Sequence, residues 1–235
     1  DLDLDGFVDI VSVHESDSGY DSAIHDVDLE VPLEGHVRIA FATADPNRWT
    51  NITLAEGSEV AAPEDAAIAD VNNDGFPDVL VAAELGHLIY LQNPGKNARS
   101  KAWPRLILPM TKNQGSYLRV FFADFNNDGR DEIITSNFET WVESAGGSQR
   151  LNTRGMLNID DLDGDGRLDL TVYDDETGVF SVHRGMANGL APAVSMRTER
   201  STTGNGFLGD VDRDGDLEFV TANDEGKLIH SRTSN

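Results

Sequence analysis

The sequence predicts an all-β protein assembled from repeated units of short antiparallel strands. Three observations carry that expectation. An acidic nonapeptide recurs five times: DLDLDGFVD from Asp1, DVNNDGFPD from Asp70, DFNNDGRDE from Asp124, DLDGDGRLD from Asp161 and DVDRDGDLE from Asp210. Each copy runs into a β-branched, apolar segment (DIVSV, DVLVA, EIITS, LDLTV, LEFVT) that reads as strand. Helical periodicity of useful length is absent.

Composition narrows the functional classes. The 235 residues carry 42 acidic and 18 basic side chains, a formal charge of −24. Such a surface repels phosphate backbones and anionic bilayers, which excludes nucleic acid and insertion into a membrane as partners. Disorder fits poorly, because the 39% of hydrophobic residues are patterned into strands. With no cysteine there is neither a disulfide framework nor a thiolate metal site. No apolar run is long enough to span a bilayer. The chain opens on Asp1 with no leader-like segment and reads as a processed form or an excised fragment.

Each nonapeptide has Asp at position 1, Asp or Asn at 3, Asp at 5, Gly at 6 and Asp or Glu at 9. Alternate positions 1, 3 and 5 throw oxygen ligands to one side of a tight loop, and Gly at 6 permits the positive φ that turns the backbone. The carboxylate at 9 then closes the shell, with a backbone carbonyl near position 7. Hard oxygen donors in this number suit Ca²⁺ better than Mg²⁺, which demands a stricter octahedron. EF-hands are excluded: they need Glu at position 12, where this chain has Ser12, Val81, Thr135, Val172 and Thr221. Positions 2 (Leu2, Val71, Phe125, Leu162, Val211) and 10 (Ile10, Val79, Ile133, Leu170, Phe219) are apolar throughout and are expected in the core.

The rest of the unit repeats as well. Strand-like AAIAD, RVFFAD and MLNID precede loops, and a Gly or Glu-Gly turn leads into GHVRIAF, GHLIYLQ, GVFSVH and GKLIHS. Outer strands follow in RWTNITL and AWPRLIL, where Trp49 and Trp103 hold equivalent places. About four strands per unit, with loops 69, 54, 37 and 49 residues apart, point to a β-propeller of five blades. The interval of 37 predicts a third blade that lacks a strand.

These loops and strands resemble the FG-GAP and VCBS repeats, whose members form calcium-binding β-propellers. The chain is nearer to the VCBS type than to integrin α-subunits, because VAAEL at 81–85 stands where GAP would follow the strand. The resemblance implies a calcium loop between the first and second strands of each blade. Its ligands would be Asp1, Asp3, Asp5 and Asp9; Asp70, Asn72, Asp74 and Asp78; Asp124, Asn126, Asp128 and Glu132; Asp161, Asp163, Asp165 and Asp169; and Asp210, Asp212, Asp214 and Glu218. Up to five structural Ca²⁺ ions would move the charge from −24 to −14. Affinities of about 10⁻⁴ to 10⁻³ M, usual for extracellular modules, imply a secreted, periplasmic or cell-surface protein. The first blade would lack its first strand and the last would stop after its third. The expectation is one domain over 1–235, either a five-bladed ring or part of a larger propeller within a larger protein.

In the family the ligand face lies opposite the calcium loops. Here the first blade carries an insert there, 14–36, with His14, Glu15, Tyr20, His25 and His36; the second offers Glu84 and His87, the third Trp141. The expected role is a binding scaffold for a glycan or protein partner, with Tyr20 and Trp141 as stacking platforms. The alternative is the propeller domain of a carbohydrate-active enzyme, a polysaccharide lyase or sugar dehydratase, with the histidines as acid–base groups. A plain solvated loop, a His-based transition-metal site and a purely structural module are the remaining readings. No nucleophile elbow, phosphate loop or zincin motif is present.

Overall fold

The computed structural model describes residues 1–15, 35–60, 62–83, 87–111, 117–136, 140–144, 147–151, 156–174, 177–187, 189–197, 206–209, 211–214, 218–222 and 228–232. The chain divides into two compact units, Asp1–Phe122 and Ala123–Asn235. All the sheets described are small and antiparallel, and none closes into a barrel.

In the first unit, β1 (Ile10–Glu15), β2 (Gly35–Phe41) and β3 (Thr50–Glu56) form a three-stranded sheet in chain order. Burial alternates along β2: Val37, Ile39 and Phe41 face the core, while His36, Arg38 and Ala40 face outward. A second sheet runs β4 (Pro63–Ala69), β5 (Asp78–Ala83), β6 (Leu88–Leu91) and β7 (Arg105–Ile107). All six residues of β5 are buried, which explains its unbroken apolar run after the acid: both of its faces are covered. One core joins Leu2, Val37, Ile39 and Phe41 to Val79, Val81, Leu91 and Trp103.

The next sheet, ordered β11-β10-β9-β8, is built from β8 (Arg119–Ala123), β9 (Glu132–Ser136), β10 (Thr140–Ser144) and β11 (Gly147–Leu151). The third repeat therefore has four strands, against the expectation that its short interval removes one. It fits because β10 begins four positions after β9 ends and β11 three positions after β10 ends. The second unit continues with β12 (Met156–Asp160), β13 (Asp169–Asp174) and β14 (Val179–His183). After a minimal hairpin of β15 (Gly185–Met186) and β16 (Gly189–Leu190), β17 (Val194–Arg197) completes the sheet beside β14. Tyr173 and Phe180 pack together in its core. Finally β18 (Gly206–Gly209), β19 (Glu218–Ala222) and β20 (Leu228–Arg232) make a three-stranded sheet.

The expectation of a uniformly buried position 2 is corrected. Leu2 and Phe125 are 1% exposed, but Val71 and Val211 are 43% and 59% exposed. Position 10 splits in the same way: Val79 and Leu170 are buried while Ile10 is 52% exposed, because it lies on the outward face of its sheet. The side chain at these places follows the cover available to each sheet, so it is not what the loop itself requires.

Within the first unit the second repeat is pinned to the first by a buried amide. Asn93 Nδ2 donates to the carbonyls of Leu2 (2.7 Å) and Pro77 (2.8 Å), while its Oδ1 accepts from Gly95 N–H. Asn93→Ala removes all three bonds and strands a buried carbonyl, so urea unfolding should show a loss of about 1–3 kcal/mol.

Candidate functional site

Four of the acidic loops share one hydrogen-bond scheme in full, and the described residues of the fifth share its closing bond. The position 1 carboxylate accepts the backbone N–H of positions 5 and 6 in the loops at Asp1, Asp70, Asp124 and Asp161, at 2.8–3.1 Å. The position 5 carboxylate accepts the N–H of position 7 in the same four, at 2.9–3.0 Å. The position 9 carboxylate accepts the N–H of position 2 in all five, at 2.6–3.2 Å. Asp210 lies outside the described residues.

That last bond gives position 9 a role additional to the ligand expected of it. Its second oxygen reaches past the following hairpin: Asp9 accepts Ala42 N–H, Asp78 accepts Asn93 N–H and Asp169 accepts Gly185 N–H, at 2.7–2.9 Å. Asp78, Glu132, Asp169 and Glu218 are buried. Burial holds the carboxyls of Asp78 and Glu132 above the usual carboxylate range, in spite of the hydrogen bonds that pull them down. Tyr90 Oη donates to Asp78 at 2.8 Å, and its own phenol is pushed up, first by burial and then by that bond.

Backbone conformation shows a requirement that the motif left unread. Position 6 has positive φ at Gly6, Gly75, Gly129 and Gly166, and a Cβ there would meet nothing within 4 Å, so conformation and not space demands glycine. Position 4 is also left-handed in every loop, at Leu4, Asn73, Asn127, Gly164 and Arg213, with φ of 56–72°. Asn and Gly at three of these sites were the available signal; Leu4 and Arg213 hid it.

The acids converge. Ligand oxygens of Asp1, Asp3 and Asp5, of Asp161, Asp163 and Asp169, and of Asp212, Asp214 and Glu218 each lie within 4.8 Å of one another. The Asp70 and Asp124 loops replace the position 3 acid by Asn72 and Asn126, whose side-chain oxygens accept from Asp74 and Asp128 N–H. Two arginines, invisible to local pattern, answer part of this charge. Arg99 bonds Asp3 through Nε and Asp5 at 2.6 Å, donates to the Ala42 carbonyl and lies 5.1 Å over the Phe41 ring. Asp3 holds that guanidinium still more firmly protonated. Arg184 bonds Asp169 at 2.6 Å and approaches Asp163 at 3.5 Å. Asp3 Oδ1 nevertheless stays buried without a hydrogen-bond partner. An orphaned carboxylate oxygen among converging hard donors fits a cation such as Ca²⁺.

Among the described residues, the candidate ligand positions His14, His36 and His87 fall at the other end of their strands. In the first sheet Ile10 pairs with Ala40 at the loop end and His14 with His36 at the far end. Of the stretch 14–36, His14 and Glu15 belong to β1 and Gly35 and His36 to β2, and 16–34 lie outside the described residues. Tyr20, His25 and Glu84 lie outside the described residues. Trp141 sits within β10, between Thr135 and Arg150 in register. His87 lines a cleft of about 480 Å³ with Ala55, Ile89, Arg105, Leu106, Ile107 and Pro109. The cleft runs along these strands: Arg105 pairs with Leu91, which pairs with Val79 beside the loop, whereas Ile89 pairs with Ile107 and Ala82 with Leu88 toward the far end, next to His87. Among the described residues, no helix is long and apolar enough to cross a membrane.

The FG-GAP-like repeat family matches residues 1–81 and again 70–135. No curated protein matches the chain in sequence. Among solved structures, the chain is similar to Citrobacter koseri AztD, at 10% identity and a TM-score of 0.47, over 85% of this chain and 56% of that one. It is also similar to a chain of the Photorhabdus luminescens Tc holotoxin pore, at 16% identity and a TM-score of 0.43, over 84% of this chain and 10% of that one. The chain thus spans about half the length of the first and a tenth of the second.

The left-handed requirement at position 4 is testable. A non-glycine residue there costs about 1–2 kcal/mol, and Asn bears it best. Leu4 is 53% exposed and gives up little packing. Leu4→Asn should therefore raise the thermal midpoint, by up to about 1 kcal/mol of stability measured by calorimetry.

Proposed function

The chain belongs to the FG-GAP-like repeat family, and on that premise we propose a calcium-stabilised β-propeller scaffold, exported from the cytoplasm, that binds a glycan or protein partner at the strand ends remote from its acidic loops. The observation that carries the reading is the recurrence of one loop geometry. Position 9 bonds position 2 in all five copies, and in four of them position 1 bonds positions 5 and 6 in the same way. The side chains at positions 1, 3, 5 and 9 would hold Ca²⁺, which would supply charge compensation and no chemistry of reaction. Buried carboxylates whose protonation burial favours are costly when ionised, and a divalent ion removes that cost. Affinities in the range of extracellular modules match calcium outside the cell and not inside it.

The recognition half of the proposal is supported by the cleft. Its wall is apolar through Ile89, Leu106, Ile107 and Pro109, with His87 and Arg105 as polar groups. A few convergent polar groups on an apolar wall are what a ligand site requires. Leu106 is 53% exposed there and Ile107 beside it is also exposed, so the wall presents adjacent apolar side chains to solvent.

Two measurements test these halves separately. Chelation should lower the melting temperature, and low-millimolar Ca²⁺ should restore about 1–2 kcal/mol per filled site. Asp163→Asn should remove one ion from the stoichiometry; a melt indifferent to both chelator and calcium sinks the scaffold reading. Incubation with acidic and neutral polysaccharides in Ca²⁺, followed by affinity electrophoresis and mass spectrometry, should show retention of unaltered glycan that Leu106→Glu abolishes at unchanged melting temperature. New unsaturated or dehydrated sugars would instead establish an enzyme.

A further inference from the structure

The outward face of the first sheet carries a second constellation, separate from the acidic loops. His14 on β1 stands directly opposite His36 on β2, and His36 stands opposite Glu56 on β3. Directly paired residues of antiparallel strands point to the same face, with Cβ atoms about 4.5–5.5 Å apart. The two imidazoles are stacked face to face, with centroids 5.2 Å apart and planes 6° from parallel. His14 is exposed and His36 half-buried, so both are open to an ion in solution.

We propose that His14 and His36, with Glu56 beside them in the same row, form a chelating site for a borderline divalent cation of the Zn²⁺, Cu²⁺ or Ni²⁺ class. The donors decide the class. Imidazole nitrogen suits these ions, whereas calcium takes oxygen. A zinc–nitrogen bond is about 2.0–2.1 Å, so turning two side chains that already lie in contact brings one nitrogen of each to a common ion without moving the strands. Both histidines sit on paired strands, and the ordering normally needed to gather two ligands is already met by the sheet. A third donor in register, Glu56, supplies the carboxylate that such sites add to histidine, and the acidic charge of −24 draws cations to the surface. The neighbouring row, Ser12, Arg38 and Thr53, offers no further nitrogen or carboxylate donor, which leaves water to complete the shell.

This site does not rest on the calcium reading, and the test keeps the two apart. The full chain, saturated with Ca²⁺, is titrated with Zn²⁺ and Ni²⁺ by calorimetry, with the histidine ring signals followed by NMR. One ion should bind despite millimolar Ca²⁺, and the His14 and His36 rings should respond together. His14→Ala and His36→Ala should each abolish that event, and Glu56→Gln should weaken it by about 10-fold or more. His14 is exposed, so its variant should keep the wild-type melting curve even where the His36 change disturbs folding. Undiminished zinc binding in His14→Ala, or none in the wild type, overturns the proposal whatever the calcium titration shows.

Discussion

One bond governs the architecture: the position 9 carboxylate on the backbone N–H seven residues earlier. It ties the end of each acidic loop to its beginning and fixes where the following strand starts. In three repeats the second oxygen of the same carboxylate takes an N–H beyond the next hairpin, at Ala42, Asn93 and Gly185. The bond to position 2 is made by Asp in three loops and by Glu in two, and the three Asp loops are those whose second oxygen takes the N–H beyond the hairpin.

That bond also creates the problem that the rest of each loop must answer. A carboxylate held in the interior beside several others is favourable only when its charge is compensated. Backbone N–H groups contribute part of the compensation. Arginines contribute more, but unevenly: Arg99 spans from the second repeat to the first loop, while Arg184 serves its own loop. Arg99 also stacks on Phe41 and bonds Ala42, so the same guanidinium that offsets charge holds two repeats of the first unit together. Asp3 Oδ1, buried and unpartnered, marks what the protein's own cations leave uncompensated.

The two ends of the strands are consequently different surfaces. At the loop end, backbone N–H groups and cations fix the side chains, and there is little latitude for change. The Leu106 cleft, which runs along its strands, and the His14–His36 pair at the far end of theirs belong to the strands themselves, with no part in the loop bonds. Substitution there leaves the loop bonds in place, so the two surfaces can vary independently on one repeat fold.

The sequence by itself determined the loops and the strands that follow them. Asp, Asn and Gly at fixed spacing, then β-branched residues, encode a local turn whose bonds span no more than seven residues, and local bonds are legible from local pattern. It marked β5 as strand through the run Val79 to Ala83, and the structure added that both faces are covered. It misled where local spacing was asked to decide a tertiary matter. The short third interval suggested a missing strand, yet tight connections accommodate four. Uniformly apolar positions 2 and 10 suggested uniform burial, yet Val71 and Ile10 are exposed because the cover over each sheet differs. Only the tertiary structure decided that Arg99 answers Asp3 across 96 residues, that Asn93 seals Leu2, and that His14 meets His36 rather than merely sharing a segment with it. Those contacts arise from strand register and from the packing of one repeat on another, and side chains far apart in the chain carry no local sign of the partners they meet.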